Sequence, residues 1–198
     1  MLTRAIGDAA QYLLKQIVRA LSLSHIHPNM LTALGLAINI VAAVLFAKGH
    51  FWEAGWVVVG AGLFDMVDGR VARVTNTVTP FGAFFDSVVD RYSDMALYMG
   101  LLVYYARAER FFYVVLVALV MAGSVMISYA RARAESLIPT CKVGFLERPE
   151  RIVLIIIGAL WNRMAPVLWI IAVLSNITVI HRILYTWQYM RKEVVSSS

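Results

Sequence analysis

The chain has 198 residues, of which 61% are hydrophobic, and its formal net charge is +6 at pH 7. A mean hydropathy of +0.73 excludes an ordinary soluble domain and indicates an integral membrane protein. The single cysteine, Cys141, excludes an intramolecular disulfide. No nucleic-acid partner is expected.

The first 22 residues divide into an apolar and a polar helical face. The apolar face consists of Leu2, Ile6, Leu13, Ile17 and Leu21. Charges recur on the opposite face, which excludes a signal peptide. The pattern predicts an amphipathic helix in the membrane interface over residues 1–22. A helix packed against a partner protein is the alternative.

Six predicted spans follow, each containing a long apolar run, and their lengths are typical of transmembrane helices, apart from the fifth. In chain order they cover about residues 31–47, 52–74, 82–105, 111–129, 149–161 and 165–189. We therefore predict an all-α membrane protein with six transmembrane helices in one domain, residues 28–190. Residues 191–198 are predicted to form a polar tail.

The fifth stretch is short, because its apolar part, Ile152–Trp161, would extend only about 15 Å against a bilayer core of about 30 Å. Two explanations are open. Either this helix starts deep in the bilayer with little tilt, or Arg148 and Arg151 lie within the bilayer and face a polar cavity.

Lysines and arginines are distributed unevenly across the predicted spans. Six spans place both termini on one side of the membrane, and that side collects 14 of the 18 basic residues. The other four are Lys48, Arg107, Arg110 and Arg163. Because cytosolic loops carry the excess of Lys and Arg, we predict a multi-pass protein of the cytoplasmic membrane. Both termini and the acidic segment described next are then cytosolic.

Four aspartates lie between two apolar stretches, in the segment from Asp65 to Asp90. Carboxylates inside membrane helices are costly, so they indicate a functional site. Asp65 and Asp68 share one helical face, and Asp86 and Asp90 share a face of the next helix. A proline in the linker disfavours helix there. The two helices can therefore fold back and bring their acidic faces together.

Clustered carboxylates repel one another unless cations hold them together, and ligands that are all oxygen are typical of hard ions. The segment therefore predicts binding of Mg²⁺ or Mn²⁺. Gly69, Ala72 and Gly82 leave room for a close approach to the backbone. A polar helix pair that lines some other ion pathway is the alternative.

The same segment contains the pattern D-x2-D-G-x2-A-R-x8-G-x3-D-x3-D. Its fixed positions are filled by Asp65, Asp68, Gly69, Ala72, Arg73, Gly82, Asp86 and Asp90. This pattern resembles the signature of the CDP-alcohol phosphatidyltransferase family. The resemblance implies that an alcohol hydroxyl displaces CMP from the β-phosphorus of a CDP-linked lipid, CDP-diacylglycerol or CDP-archaeol.

The resemblance also implies roles for individual residues. Two ions would be held by Asp65, Asp68, Asp86 and Asp90. Asp90 would also act as the general base on the acceptor hydroxyl. The CDP-lipid would contact Pro28, Asn29, Thr32, Asp68, Gly69, Ala72, Arg73 and Gly82. The family further implies a homodimer surrounded by membrane lipids.

Four arginines are candidates for binding the acceptor. Arg131 and Arg133 follow the fourth span, and Arg148 and Arg151 begin the fifth. Arginines that converge on a cavity are typical of a site for a phosphate dianion. Anchoring of these side chains to lipid headgroups is the alternative.

The stretches ARAE and GFLERPER that contain these arginines resemble the phosphatidylinositol-phosphate synthase branch of the family. This implies inositol phosphate as acceptor. Arg131 stands where that branch usually has lysine, which leaves the exact polyol phosphate open. Glycerol 3-phosphate, as in phosphatidylglycerophosphate synthases, is an alternative acceptor. A non-enzymatic divalent-cation carrier is a more distant alternative, and the apolar third span beyond Asp94 counts against it.

Overall fold

The structure is a computed structural model that describes the backbone of residues 28–74 and 79–196 and the side chains of residues 29–65 and 79–192. Within these residues every regular element is an α-helix. The helices are α1 (Pro28–Lys48), α2 (Phe51–Val74), α3 (Pro80–Arg107), α4 (Phe111–Glu135), α5 (Arg148–Leu160) and α6 (Met164–Ser196). They occur where the six stretches were predicted. The predicted interfacial helix over residues 1–22 lies outside the described residues.

Two helices continue by a turn or more beyond the C-terminal ends of the predicted spans. α4 continues to Glu135, and α6 continues to Ser196 through most of the predicted polar tail. The difference arises because the length of an apolar run reflects only the part of a helix that crosses the bilayer, whereas the helix itself can continue into water. In α4 the added turn contains an ion pair one helical turn apart, from Arg131 Nε to Glu135 Oε1 at 3.2 Å.

Three helices in the described part of the chain are long and apolar enough to cross a membrane. They cover Asn29–Lys48, Phe111–Glu135 and Met164–Lys192. The other three differ for separate reasons. α2 and α3 carry several charged residues, and α5 has only 13 residues, which is about 20 Å. The fold is therefore that of a membrane protein in which half of the helices are polar or short.

The main contacts between helices form a closed ring in the order α1, α2, α5, α6, α4, α3. Its core is built from large buried side chains, among them Phe46, Leu97, Tyr98, Leu101, Val117, Leu168 and Ile171. α1 and α3 approach most closely at Gly100, where a Cβ atom would collide with the carbonyl oxygen of Ala43. Glycine at this position lets the two backbones touch.

The first turns of α3 and α5 are fixed by capping residues. The Thr79 hydroxyl accepts the N–H of Gly82 at 2.9 Å, and Pro80 lies in the first turn of α3. This confirms the predicted break at the linker proline. Glu147 precedes α5 and forms a capping box with Glu150. These starts place Arg148 and Arg151 in the first turn of α5 and Asp86 and Asp90 in the first half of α3.

Candidate active site

The acidic faces of α2 and α3 meet in the structure. Asp65 on α2 and Asp86 and Asp90 on α3 lie close enough for their carboxylates to repel one another. α1 also reaches this point, since a Cβ atom at Gly35 would lie 2.9 Å from Oδ1 of Asp65. The side chain of Asp68 lies outside the described residues. The described part of the acidic segment therefore gathers three carboxylates from two helices.

Arg148, the first residue of α5, bridges carboxylates from both helices. Its Nη2 donates to Oδ2 of Asp65 at 2.9 Å, and its Nη1 lies 2.9 Å from Oδ1 of Asp90. Its Nε donates to Oδ1 of Asp94 at 3.3 Å. One guanidinium thus joins α2, α3 and α5, and it offsets part of the repulsion between the carboxylates.

Arg151, one turn further along α5, forms a buried ion pair with Asp94. Nη2 of Arg151 donates to Oδ2 of Asp94 at 2.8 Å, and the two side chains are 2% and 5% exposed. Asp94 was not among the predicted site residues. Its position four residues after Asp90 continues the acidic face of α3, and this spacing was a signal that could have indicated it.

A cavity of about 420 Å³ lies between α3, α4, α6 and the start of α5. Its charged lining includes Asp90, Asp94, Arg131, Arg148, Arg151 and Arg182. Asp90 therefore borders the same space as several guanidinium groups. Such an arrangement can hold an anion next to a carboxylate that accepts a proton.

Arg131 and Arg182 meet at Glu147 in the wall of this cavity. Arg131 Nη1 donates to Oε1 of Glu147 at 3.0 Å, and Arg182 Nη2 donates to the same oxygen at 3.4 Å. Arg182 is buried and also donates to the carbonyl oxygens of Ile127 and Val143. Sequence reasoning missed Arg182 as a site residue. A basic residue within an apolar span was the signal that could have found it.

Arg133 does not line this cavity, and the structure does not bring it together with the other three predicted arginines. It lines a separate, mostly apolar groove of about 430 Å³ between α4 and α6, together with Tyr129 and Trp187. Its Nη1 donates to the Ser136 hydroxyl at 3.2 Å. The reason is helical geometry. Two residues apart on a helix correspond to a rotation of about 200°, so Arg131 and Arg133 point in nearly opposite directions.

The residues predicted to contact the CDP-lipid are described in part. Asn29 and Gly82 lie together, since a Cβ atom at Gly82 would be 3.5 Å from Oδ1 of Asn29. Thr32 is buried on α1. The start of α1 therefore packs beside the start of α3. The side chains outside the described residues are those of Pro28, Asp68, Gly69, Ala72 and Arg73.

The donor atoms of this site fit a hard divalent ion. Among the described side chains, no three His, Cys, Asp or Glu residues are grouped closely enough to hold a metal ion. Asp65 and Asp90 contact different nitrogen atoms of one guanidinium, so both carboxylates face the same cationic group. Their oxygen atoms are the ligands that Mg²⁺ and Mn²⁺ prefer.

Comparison with known proteins identifies the family. Residues 25–187 match the model of the CDP-alcohol phosphatidyltransferase family. The chain belongs to this family, and it is a transferase of phospholipid biosynthesis. The all-helical fold and the acidic faces of α2 and α3 agree with the resemblance that the motif indicated.

Two relatives and one enzyme of known structure are similar to most of this chain. The archaetidylinositol phosphate synthase of Pyrococcus horikoshii is 36% identical over 172 residues, which cover 86% of this chain and 88% of the relative. The phosphatidylinositol phosphate synthase of Mycobacteroides abscessus is 35% identical over 164 residues, 78% of this chain and 74% of the relative. The phosphatidylinositol phosphate synthase of Mycobacterium tuberculosis, solved with CDP-DAG bound, has a TM-score of 0.83 at 33% identity, covering 89% of this chain and 94% of that one. The same enzyme solved with manganese and citrate has a TM-score of 0.80, also at 33% identity, covering 88% of each chain.

Proposed function

We propose that the enzyme transfers a phosphatidyl or archaetidyl group from a CDP-linked lipid to a hydroxyl of inositol phosphate and releases CMP. The observation that carries this proposal is the cavity in which Arg131, Arg148 and Arg151 lie beside Asp90. A phosphorylated acceptor supplies the anion that converging guanidinium groups bind. The two relatives described above are named as synthases of inositol-phosphate lipids, which supports the same acceptor.

The reaction forms one bond and breaks one bond at the β-phosphorus of the CDP-lipid. The acceptor hydroxyl oxygen attacks this phosphorus, the bond to the CMP oxygen breaks, and the hydroxyl proton passes to the carboxylate of Asp90. Asp90 suits the role of general base because it borders the cavity and lies 2.9 Å from Nη1 of Arg148. A phosphate held by Arg148 would keep the rest of the acceptor near this carboxylate.

Two divalent ions, Mg²⁺ or Mn²⁺, are part of the proposal. Their ligands would be Asp65, Asp68, Asp86 and Asp90. When bound, such ions neutralise charge on the attacking and leaving oxygens. The structure solved with manganese supports this choice of metal by similarity. The cytidine of the donor would lie against Gly69, Ala72 and Gly82, and Arg73 would donate to one of its phosphates.

We further propose that all six helices lie in the cytoplasmic membrane and that the cavity opens to the cytosol. The excess of lysine and arginine on the side where α3 begins supports this orientation. Polar residues of α2, α3 and α5 contact one another across the ring, so the charges in these ion pairs face one another in a bilayer instead of the lipid. A homodimer remains a prediction of the family resemblance.

The test is CMP release by purified protein given CDP-diacylglycerol or CDP-archaeol and a panel of acceptors. The panel contains inositol 1-phosphate, inositol, glycerol 3-phosphate and serine. We expect the highest kcat/KM with inositol 1-phosphate. We also expect release to stop with EDTA and to return with Mg²⁺ or Mn²⁺.

Each other outcome has a definite meaning. Preference for glycerol 3-phosphate would assign the alternative acceptor. Preference for unphosphorylated inositol would contradict the phosphate-binding role of the arginines, and CMP release from metal-free protein would contradict the role of the ions. Uptake of Mn²⁺ into vesicles with no CMP release from any acceptor would favour the carrier.

A further inference from the structure

Asp94 lies between two arginines of α5 and shares its carboxylate oxygens with them. Oδ2 accepts from Nη2 of Arg151 at 2.8 Å, and Oδ1 accepts from Nε of Arg148 at 3.3 Å. The Asp94 side chain is almost fully buried. Because both oxygens face guanidinium groups, Asp94 is poorly placed to contact a substrate itself.

Arg148 uses its nitrogen atoms in two directions. Nε faces Asp94, whereas Nη1 and Nη2 face Asp90 and Asp65. A guanidinium is planar and rigid, so a hydrogen bond that holds Nε also fixes the directions of both Nη groups. Asp94 therefore contributes to the direction in which the outer end of Arg148 points.

The partners of Arg148 are not equivalent. Asp65 and Asp90 are also proposed metal ligands, so Arg148 must share them with the ions. Asp94 lies a full turn beyond Asp90, and its other oxygen is already paired with buried Arg151. Asp94 is thus the carboxylate that can hold Arg148 whether or not the metal site is filled.

We propose that Asp94 is a positioning residue for acceptor binding, which acts through Arg148 and is itself held in place by Arg151. The Arg151–Asp94 pair forms a buried support, and the Nη groups of Arg148 are presented to the phosphate of the acceptor. This inference rests on the proposed function, in which Arg148 binds a phosphorylated acceptor. Asp94 stands outside the eight fixed positions of the motif, so that pattern assigns it no role.

The first test is Asp94→Asn. Asparagine is a weaker acceptor for a guanidinium, so Arg148 should turn towards Asp65 and Asp90 and leave the phosphate. We expect the KM for inositol 1-phosphate to rise about ten- to a hundred-fold, from the loss of a hydrogen bond to a charged group. The KM for the CDP-lipid should change less than about threefold by the same scale. Arg107→Gln removes a charge from the far end of the same helix and is the matched control, with both KM values unchanged.

Asp94→Asn also leaves the buried charge of Arg151 without its partner. A second variant therefore distinguishes a positioning role of Asp94 from a purely structural one. Asp94→Asn combined with Arg151→Gln removes both charges of the pair. This double variant should regain thermal stability relative to Asp94→Asn alone, while its KM for inositol 1-phosphate stays above that of Arg151→Gln alone. A KM equal to that of Arg151→Gln alone would show that Asp94 only compensates Arg151 and would overturn the proposal.

A double-mutant cycle with Arg148→Gln tests whether Asp94 acts through Arg148. In the Arg148→Gln background, Asp94→Asn should raise the KM for inositol 1-phosphate no further. If the double variant raised the KM by the product of the two single-variant factors, Asp94 would act independently of Arg148. The wild-type acceptor panel decides the proposed function separately. If wild-type enzyme prefers inositol 1-phosphate and Asp94→Asn keeps the wild-type KM, only the present inference fails.

Discussion

The arginines on either side of the α4–α5 connection form two pairs with different surroundings. Arg148 and Arg151 are three residues apart in α5, and both line the cavity beside Asp90. Arg131 and Arg133 are two residues apart in α4, and only Arg131 lines that cavity. A spacing of three keeps two side chains on one helical face, whereas a spacing of two separates them. Two arginines close together in the sequence therefore point into one cavity in α5, whereas in α4 they point in different directions.

The two pairs also differ in their partners. Arg151 contacts the buried carboxylate of Asp94, whereas Arg131 contacts Glu135 and Glu147, whose side chains are 35% and 48% exposed. Charge interactions are strong where water is excluded and weak where it is not. The comparison teaches that four neighbouring arginines should contribute unequally to stability and to acceptor binding.

The largest expected effect is on stability, from Arg151→Ala. This change leaves the buried Asp94 carboxylate without its Arg151 partner, and breaking a buried ion pair by removing one partner costs about 3–5 kcal/mol. The thermal unfolding midpoint in detergent is the measurement. Arg133→Ala, an exposed change in the other pair, should cost less than about 0.5 kcal/mol. Equal losses of stability in Arg151→Ala and Arg133→Ala would contradict the difference in burial on which the comparison of the two pairs rests.

The second effect is on acceptor binding, from Arg148→Gln. Loss of a charge-assisted hydrogen bond to phosphate costs about 1.5–3 kcal/mol, which is about ten- to a hundred-fold in affinity. We expect this increase in the KM for inositol 1-phosphate, with little change in the KM for the CDP-lipid. An equal rise in both constants would mean that Arg148 serves the carboxylates of the metal site and not the acceptor.

A smaller effect is expected from Arg131→Gln. Arg131 borders the cavity but is 35% exposed, and exposed ion pairs contribute about 0.2–1 kcal/mol. The KM for inositol 1-phosphate should therefore rise no more than about fivefold. Arg131→Lys, which keeps the charge and restores the residue usual in the inositol-phosphate branch, should stay close to wild type. If Arg131→Gln raised this KM as much as Arg148→Gln does, the expectation that the more exposed arginine contributes less would be wrong.

The smallest effect is expected from Arg133→Gln, because Arg133 faces the apolar groove on the other side of α4. The KM for inositol 1-phosphate should stay within about twofold of wild type, a change worth less than about 0.5 kcal/mol. Steady-state kinetics beside Arg131→Gln provide the measurement. If Arg133→Gln weakened acceptor binding as much as Arg131→Gln, the assignment of the two side chains to opposite faces would be wrong.

The sequence by itself determined the features that depend on neighbours along the chain. Apolar runs located all six helices, and Pro80 and Pro149 marked two of their starts. Spacing of three and four residues placed Asp86 and Asp90 on one face. The eight-residue motif was sufficient to indicate the family. These properties are local, because hydrogen bonding within a helix and the apolar length needed to cross a bilayer do not depend on which helices are neighbours.

Only the tertiary structure decided which charged residues meet. Arg148 contacts Asp65 at a separation of 83 residues, and Arg182 reaches Glu147 at a separation of 35. Neither contact was predicted, and Arg133 was predicted in a cavity that it does not line. Helical spacing determines the relative directions of side chains on one helix. The rotation of each helix against its neighbours depends on how closely they pack, here where Gly35 leaves room for the Asp65 side chain and where Gly100 touches the backbone of Ala43. No local pattern specifies those contacts, so the pairing of charges follows from packing.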